Sequence, residues 1–283
     1  MSNAGGSVAP IEFSKPQVNF YVGTIDRSLR FYRDVLGFKE TIRVPDGEGP
    51  SQVELALGSF TLGLATYEAL KRLHGISTGR GPARFELGLR SDDVDGAYGW
   101  ATSQGAPTLH TPYDFLGYVH AATVADPEGN PVTFYDRLPV KTRANPALRP
   151  TFRNHLHNIY TDEIGASLRF YRDLLGSAET FRVPKEGPPT HVELELGPLN
   201  LAVSTLDALR RDHGLSAGGG PPRGELVLWV SDVGDAVSWM NANGVPTLSP
   251  AHDFAGHLRG AWVADPDGNP VQLVAHSGST RPK

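Results

Sequence analysis

The 283-residue chain contains no cysteine. That excludes disulfides, thiolate zinc sites and cysteine nucleophiles together. No apolar run approaches the ~20 residues of a membrane-spanning helix. The opening segment, Met1–Pro10, is small and polar and lacks a hydrophobic signal region, so the expectation is a cytoplasmic protein with no membrane partner. Positive charge is not in excess. The 26 Lys and Arg stand against 31 Asp and Glu, a net charge of −5, which argues against nucleic acid as the partner. No GxGxxG or HExxH motif is present. What is there is ordinary for a soluble protein, 39% hydrophobic and 20% charged residues, in a length that suits about two domains.

The chain is one domain written twice. SLRFYRDVLGFKETIRVP from Ser28 matches SLRFYRDLLGSAETFRVP from Ser167; VELALG at Val53 matches VELELG at Val192; ADPEGNPV at Ala125 matches ADPDGNPV at Ala264. Every pair stands 139 residues apart with no gap between blocks. That period is far beyond the ~20–50 residues of solenoid repeats, so it marks a duplicated domain. The expected organisation is a disordered tail (1–11), a first domain (12–137), a Pro-rich basic linker (138–150), a second domain (151–276) and a disordered tail (277–283).

Within a copy, strands and helices follow a fixed order. Gln17–Val22 alternates Val18, Phe20 and Val22 against Gln17, Asn19 and Tyr21, the period of a half-buried strand. The DRSLRFYRDVLG segment has helical spacing and ends at Gly37, a C-cap candidate. Three strand segments follow, and a second strand–helix–strands unit begins at Phe85. The expected fold class is α+β, with two βαβββ units per copy, a cup-shaped mixed sheet and helices on the outer face. The other sheet face is solvated or lines a cavity.

Alternation assigns that face. In copy one it carries Gln17, Asn19, Tyr21, Gln52, Glu54, Glu86, Thr133 and Tyr135. In copy two it carries Asn158, Tyr160, His191, Glu193, Glu195, Glu225, Trp229, Trp262, Gln272 and His276. Aromatic rings interleaved with a few polar groups fit a ligand cavity. The ligand-binding candidates are Gln17, Asn19, Tyr21, Glu54, Asn158, Tyr160, His191, Glu193, Trp229, Trp262 and Gln272. The competing reading is that the recurring Asn, Tyr and Glu pairs bond to one another across the sheet. An acid among aromatic rings on a cup floor is expected to titrate abnormally, which makes Glu86 and Glu225 the candidate catalytic residues. His155 and His157 flank Leu156 and belong to the opposite, core face unless a bulge turns them. His74 and His213 follow a short helix and read as helix-end caps or surface groups.

The combination of SLRFYRDxLG with VELxLG and DPxGNPV resembles the vicinal oxygen chelate superfamily, which includes glyoxalase I, extradiol dioxygenases and fosfomycin- and bleomycin-resistance proteins. The resemblance covers nearly the whole of both copies. It implies paired βαβββ units around a ligand cup and, in some members, a metal held by His, Glu or Gln. The slots it implies here are Gln17 or Leu156, Glu86 or Glu225, Thr133 or Gln272, and Gly63 or Ala202, with no His in any of them. Amides and hydroxyls are poor ligands for first-row metals, so no metal and no other cofactor is expected. A site combining slots from both copies stays open. Two functions follow from the resemblance. One is a small-molecule binding protein of the bleomycin-resistance type, for an aromatic or cationic ligand. The other is a glyoxalase-like lyase or isomerase, or another enzyme using the cup-floor Glu residues. The expected state is a monomer with pseudo-dimeric domains or a homodimer.

Overall fold

The structure is a computed structural model that describes residues 11–47, 49–78, 84–139, 147–215 and 221–278. The tails expected at either end and the linker lie wholly or partly outside those residues. The first unit of copy one runs β1 (Ser14–Val22), α1 (Ile25–Leu29), β2 (Lys39–Asp46), β3 (Gly49–Leu57), β4 (Phe60–Thr66) and α2 (Tyr67–His74). The second runs β5 (Phe85–Ser91), α3 (Val94–Ser103), β6 (Thr108–Phe115), β7 (Val119–Ala125) and β8 (Pro131–Arg137). Copy two repeats both. Its first unit is β9 (Phe152–Thr161), α4 (Ile164–Leu168), β10 (Ala178–Val183), β11 (His191–Leu196), β12 (Leu199–Thr205) and α5 (Leu206–His213). Its second is β13 (Gly224–Trp229), α6 (Val233–Ala242), β14 (Thr247–Phe254), β15 (Leu258–Ala264) and β16 (Pro270–His276). The SLRFYRD helices begin as α1 and α4 and continue as π-helix over Arg30–Val35 and Arg169–Leu174. Among the described residues, no helix is long and apolar enough to cross a membrane.

The strands form two eight-stranded mixed sheets, as a duplicated α+β fold requires. Their composition was not apparent from the repeat. One sheet has the order β14-β15-β16-β13-β1-β4-β3-β2 and the other β10-β11-β12-β9-β5-β8-β7-β6. Each sheet therefore joins one unit of each copy, not the two units of one copy. The antiparallel seams are β1–β13, with Asn19 opposite Glu225, and β5–β9, with Glu86 opposite Asn158. The copies are laced together by this exchange. Within each copy the two units are tied by a second device. Tyr32 Oη donates to Asp126 Oδ2 at 2.8 Å, and Tyr171 Oη to Asp265 Oδ2 at 2.7 Å. The same Asp accepts backbone N–H bonds within its DPxGN turn. The FYRD and DPxGN motifs thus recur together because one carboxylate serves both.

The apolar faces of the two sheets meet in one core. Phe20 stacks on Phe85 with centroids 4.6 Å apart, and Phe60 stacks on His155 at 4.0 Å. His157 lies beside Phe20 and Phe85 in the same layer. The alternation that placed His155 and His157 on the core face is what the strand adopts. The seam is tight at Gly224, where an added Cβ would stand 2.7 Å from the Asn19 carbonyl oxygen and 2.8 Å from the Phe85 ring. A Gly224→Ala variant is expected to lose about 1–3 kcal/mol in chemical denaturation. A neutral result would show that the β1–β13 seam is looser than this packing.

Candidate functional site

The polar faces of the sheets form two cups, related by the 139-residue offset. Cup A combines β1, β3 and β4 with β13, β15 and β16. Cup B combines β9, β11 and β12 with β5, β7 and β8. The candidate residues divide between them. Gln17, Asn19, Tyr21, Glu54, Glu225, Trp262 and Gln272 belong to cup A, and Glu86, Asn158, Tyr160, His191 and Glu193 to cup B. Gln17, Glu86 and Thr133, the slots of copy one, are not brought together, because Gln17 and Glu86 lie in different sheets. Trp229 reaches neither cavity. It packs on His276 at 4.9 Å with Lys15 over its ring.

The floor of cup A is closed on itself. Glu225 Oε1 accepts from Asn19 Nδ2 at 2.7 Å, and Oε2 accepts from Tyr21 Oη at 2.9 Å and Trp262 Nε1 at 2.6 Å. Burial pushes the Glu225 carboxyl pKa up, and the three donors oppose that shift. Gln17 donates to Asn19 at 3.0 Å and to Glu54 at 3.3 Å. These bonds tie Gln17, Asn19, Tyr21 and Glu54 to one another or to Glu225 across the sheet. Above Trp262 lies a cavity of about 240 Å³ reached by His74, Phe254, Leu70, Glu225 and Gln272. His74 packs on the indole at 4.2 Å and its Nδ1 meets His252 Nε2 at 2.9 Å.

Cup B is built differently on the same frame. Thr123 stands where cup A has Trp262, and its hydroxyl bonds to Thr133 at 2.9 Å. With no indole over it, the floor stays within reach of a cavity of about 190 Å³. Glu86, Thr133, Tyr135, Leu156, Asn158 and Tyr160 line it from below. Glu86 accepts from Tyr160 Oη and, at 3.5 Å, from Thr133 Oγ1, both on Oε2. Among the described residues Oε1 accepts nothing. Burial and the adjoining Glu86 raise the Tyr160 phenol well above its ordinary range, so it stays protonated and donating. Across the cup, Tyr113 Oη and His213 Nδ1 are 2.5 Å apart. His191 and Ser204, directly opposite on β11 and β12, bond at 2.7 Å.

Both cavities close with histidines from helix ends. His74 and His213 read from sequence as caps or surface groups, and the structure corrects this. Each C-terminal turn docks against the opposite copy's β14 or β6, as in Ser249 Oγ to His74 O at 2.7 Å. Their recurrence at the offset was the available signal. Ser204, Tyr113 and Thr123 were also missed, although Ser204 continues the alternation of β12.

Among the described residues, no group of three or more His, Asp or Glu is placed to hold a metal ion. The implied slots of cup B are Leu156, Glu86, Thr133 and Ala202, a single carboxylate. Those of cup A are Gln17, Gly63, Gln272 and Glu225, whose two oxygens already accept three bonds. Neither donor set suits a first-row metal.

The model of the Glyoxalase/Bleomycin resistance protein/Dioxygenase superfamily matches residues 16–134 and 153–273. Glyoxalase I from Zea mays superposes with a TM-score of 0.62 at 20% identity, covering 92% of each chain. A putative dioxygenase from Bacillus subtilis subsp. subtilis str. 168 superposes with a TM-score of 0.57 at 12% identity, covering 94% of this chain and 85% of that one. At these identities the likeness is one of fold. No curated protein sequence matches the chain.

Proposed function

Because the chain belongs to the Glyoxalase/Bleomycin resistance protein/Dioxygenase superfamily, whose fold carries more than one chemistry, we propose a function from the chemistry of its own cups. Cup B binds a ring-sized aromatic molecule bearing a cation or a hydrogen-bond donor, and does so without a bound metal. The observation that carries this reading is Glu86. One oxygen of this cavity-lining carboxylate is fixed by Tyr160 and Thr133, and the other accepts from none of the described residues. A cavity of about 150 Å³ holds benzene, so about 190 Å³ suits one substituted ring. Tyr118, Tyr135, Phe115 and Phe181 supply aromatic walls. Glu193 and Asp212 add negative charge at the rim, while Arg90 is held by Asp136 at 2.8 Å. The metal-free reading rests on the donor sets above.

Calorimetric titration with benzylamine and with benzyl alcohol tests this. Glu86→Gln keeps the shape and removes the charge. It is expected to weaken benzylamine about tenfold, near 1.4 kcal/mol, and to leave benzyl alcohol unchanged. Equal loss for both guests, or no loss, would make Glu86 a structural group. A second reading, metal-free proton transfer of the lyase or isomerase kind, is favoured by the Tyr113–His213 pair facing the same cup. Burial and nearby Glu86 raise the Tyr113 phenol, which suits a donor and not a base.

A further inference from the structure

One wall of cup B carries a constellation of which the ligand-binding reading uses only the charge of Glu193. Ser204, His191 and Glu193 all line the cavity. His191 Nδ1 lies 2.7 Å from Ser204 Oγ, and His191 Nε2 lies 3.6 Å from Glu193 Oε1. Ser204 Oγ also donates to Asn158 Oδ1 at 2.8 Å. The order hydroxyl, imidazole, carboxylate is that of an activated nucleophile, its base and the group that orients the base. Strand geometry explains the assembly. His191 and Ser204 are cross-strand partners, and Glu193 follows His191 by two residues on the same face.

Cup A provides an internal comparison. At the 139-residue offset Glu193 is kept as Glu54, but His191 becomes Gln52 and Ser204 becomes Ala65. A set needed only to fold the cup would serve both cups alike. Here the nucleophile and the base are present in one cup and both absent from the other.

We propose that cup B is also an acyl-transfer site, with Ser204 as nucleophile and His191 as general base, acting on small esters whose alcohol or acyl part is a single ring. The inference rests on cup B as the ligand site. Ser204 Oγ donates to Asn158 Oδ1, and rotation of the hydroxyl about its C–O bond turns that hydrogen to His191 Nδ1. In that orientation the hydroxyl proton passes to His191 as Oγ bonds to the ester carbonyl carbon. The C–O bond to the leaving alkoxide then breaks, and His191 returns the proton to that alkoxide. Water next attacks the acyl-Ser204 carbonyl, giving its proton to His191. As the acyl–oxygen bond breaks, the proton passes to Ser204 Oγ. The net reaction is ester plus water to carboxylic acid plus alcohol. Glu193 acts through His191 and is a positioning residue.

The test uses 4-nitrophenyl acetate with the full chain, following nitrophenolate release and mapping acetyl groups by peptide mass spectrometry. The expected result is acetyl on Ser204, and loss of release by about a hundredfold in both Ser204→Ala and His191→Gln. Glu193→Gln is expected to lower kcat with KM unchanged. Benzylamine titration of Ser204→Ala separates the two readings. Retained affinity with lost acetylation supports both. Wild-type protein that binds benzylamine but gains no acetyl on Ser204 overturns the acyl-transfer site alone. Absence of benzylamine binding with acetyl on Ser204 overturns the binding reading alone. Equal release by wild type and Ser204→Ala also overturns the proposal.

Discussion

A Thr123→Trp variant is expected to bind benzylamine about a hundredfold more weakly than wild type, a loss near 2.7 kcal/mol. The reason is already built into cup A. There the equivalent Trp262 is fully buried, its indole N–H sits on Glu225 at 2.6 Å, and its ring lies over the floor beneath His74. The same side chain on β7 would cover Glu86, offer an N–H to its carboxylate and stack toward His213. Ring, donor and charge would then be unavailable to a guest together. Overpacking carries its own cost of about 1–3 kcal/mol, so the variant's thermal unfolding is measured beside its affinity. A well-folded Thr123→Trp protein that binds as wild type does would place the guest elsewhere. The new tryptophan is also a fluorescence reporter within cup B, because none of the four native tryptophans lines that cavity.

The second large effect is on acid stability. Burial, with a smaller contribution from His155, lowers His157 from the ordinary 6.5 to about 3, and its Nδ1 is buried with no hydrogen-bond partner among the described residues. The folded state therefore resists a proton that the unfolded chain accepts. Stability from the neutral ring is present above the unfolded pKa of 6.5 and is lost as pH falls from there toward about 3. Buried acids with raised pKa values, Glu225, Asp126 and Asp265, act in the opposite sense as they protonate. Comparing wild type with His157→Phe cancels them, since both proteins carry them. The variant is expected to lie within about 1.5 kcal/mol of wild type at pH 7. It should then gain on it steadily below pH 6.5, by on the order of 4 kcal/mol at pH 3. Parallel stability curves down to pH 3 would show that His157 charges in the native state.

Much of this was readable in the chain. The ungapped offset gives the duplication, and period-two alternation puts Asn19, Tyr21, Glu225 and Trp262 on one face because successive strand side chains must alternate. Alternation is blind to which units share a sheet. Asn19 and Tyr21 recur as Asn158 and Tyr160, and Glu86 recurs as Glu225, so Asn19 facing Glu225 of the other copy looks, in sequence, no different from Asn19 facing Glu86. Nor does a face assignment reveal satisfaction. Glu86 and Glu225 occupy equivalent positions, yet the difference between them comes from position 123 and its equivalent, Trp262, on another strand. His74 and His213 escaped for the same reason, since only the docking of a helix end onto a distant strand turns them inward.

The most direct test of the account is a crystal structure of the metal-stripped protein soaked with benzylamine. The account predicts the ring in cup B among Tyr135, Tyr160 and Phe115, with its nitrogen within hydrogen-bonding distance of Glu86 Oε1. Density for the amine in cup A above Trp262, or binding that returns only when a divalent metal is restored, would contradict it.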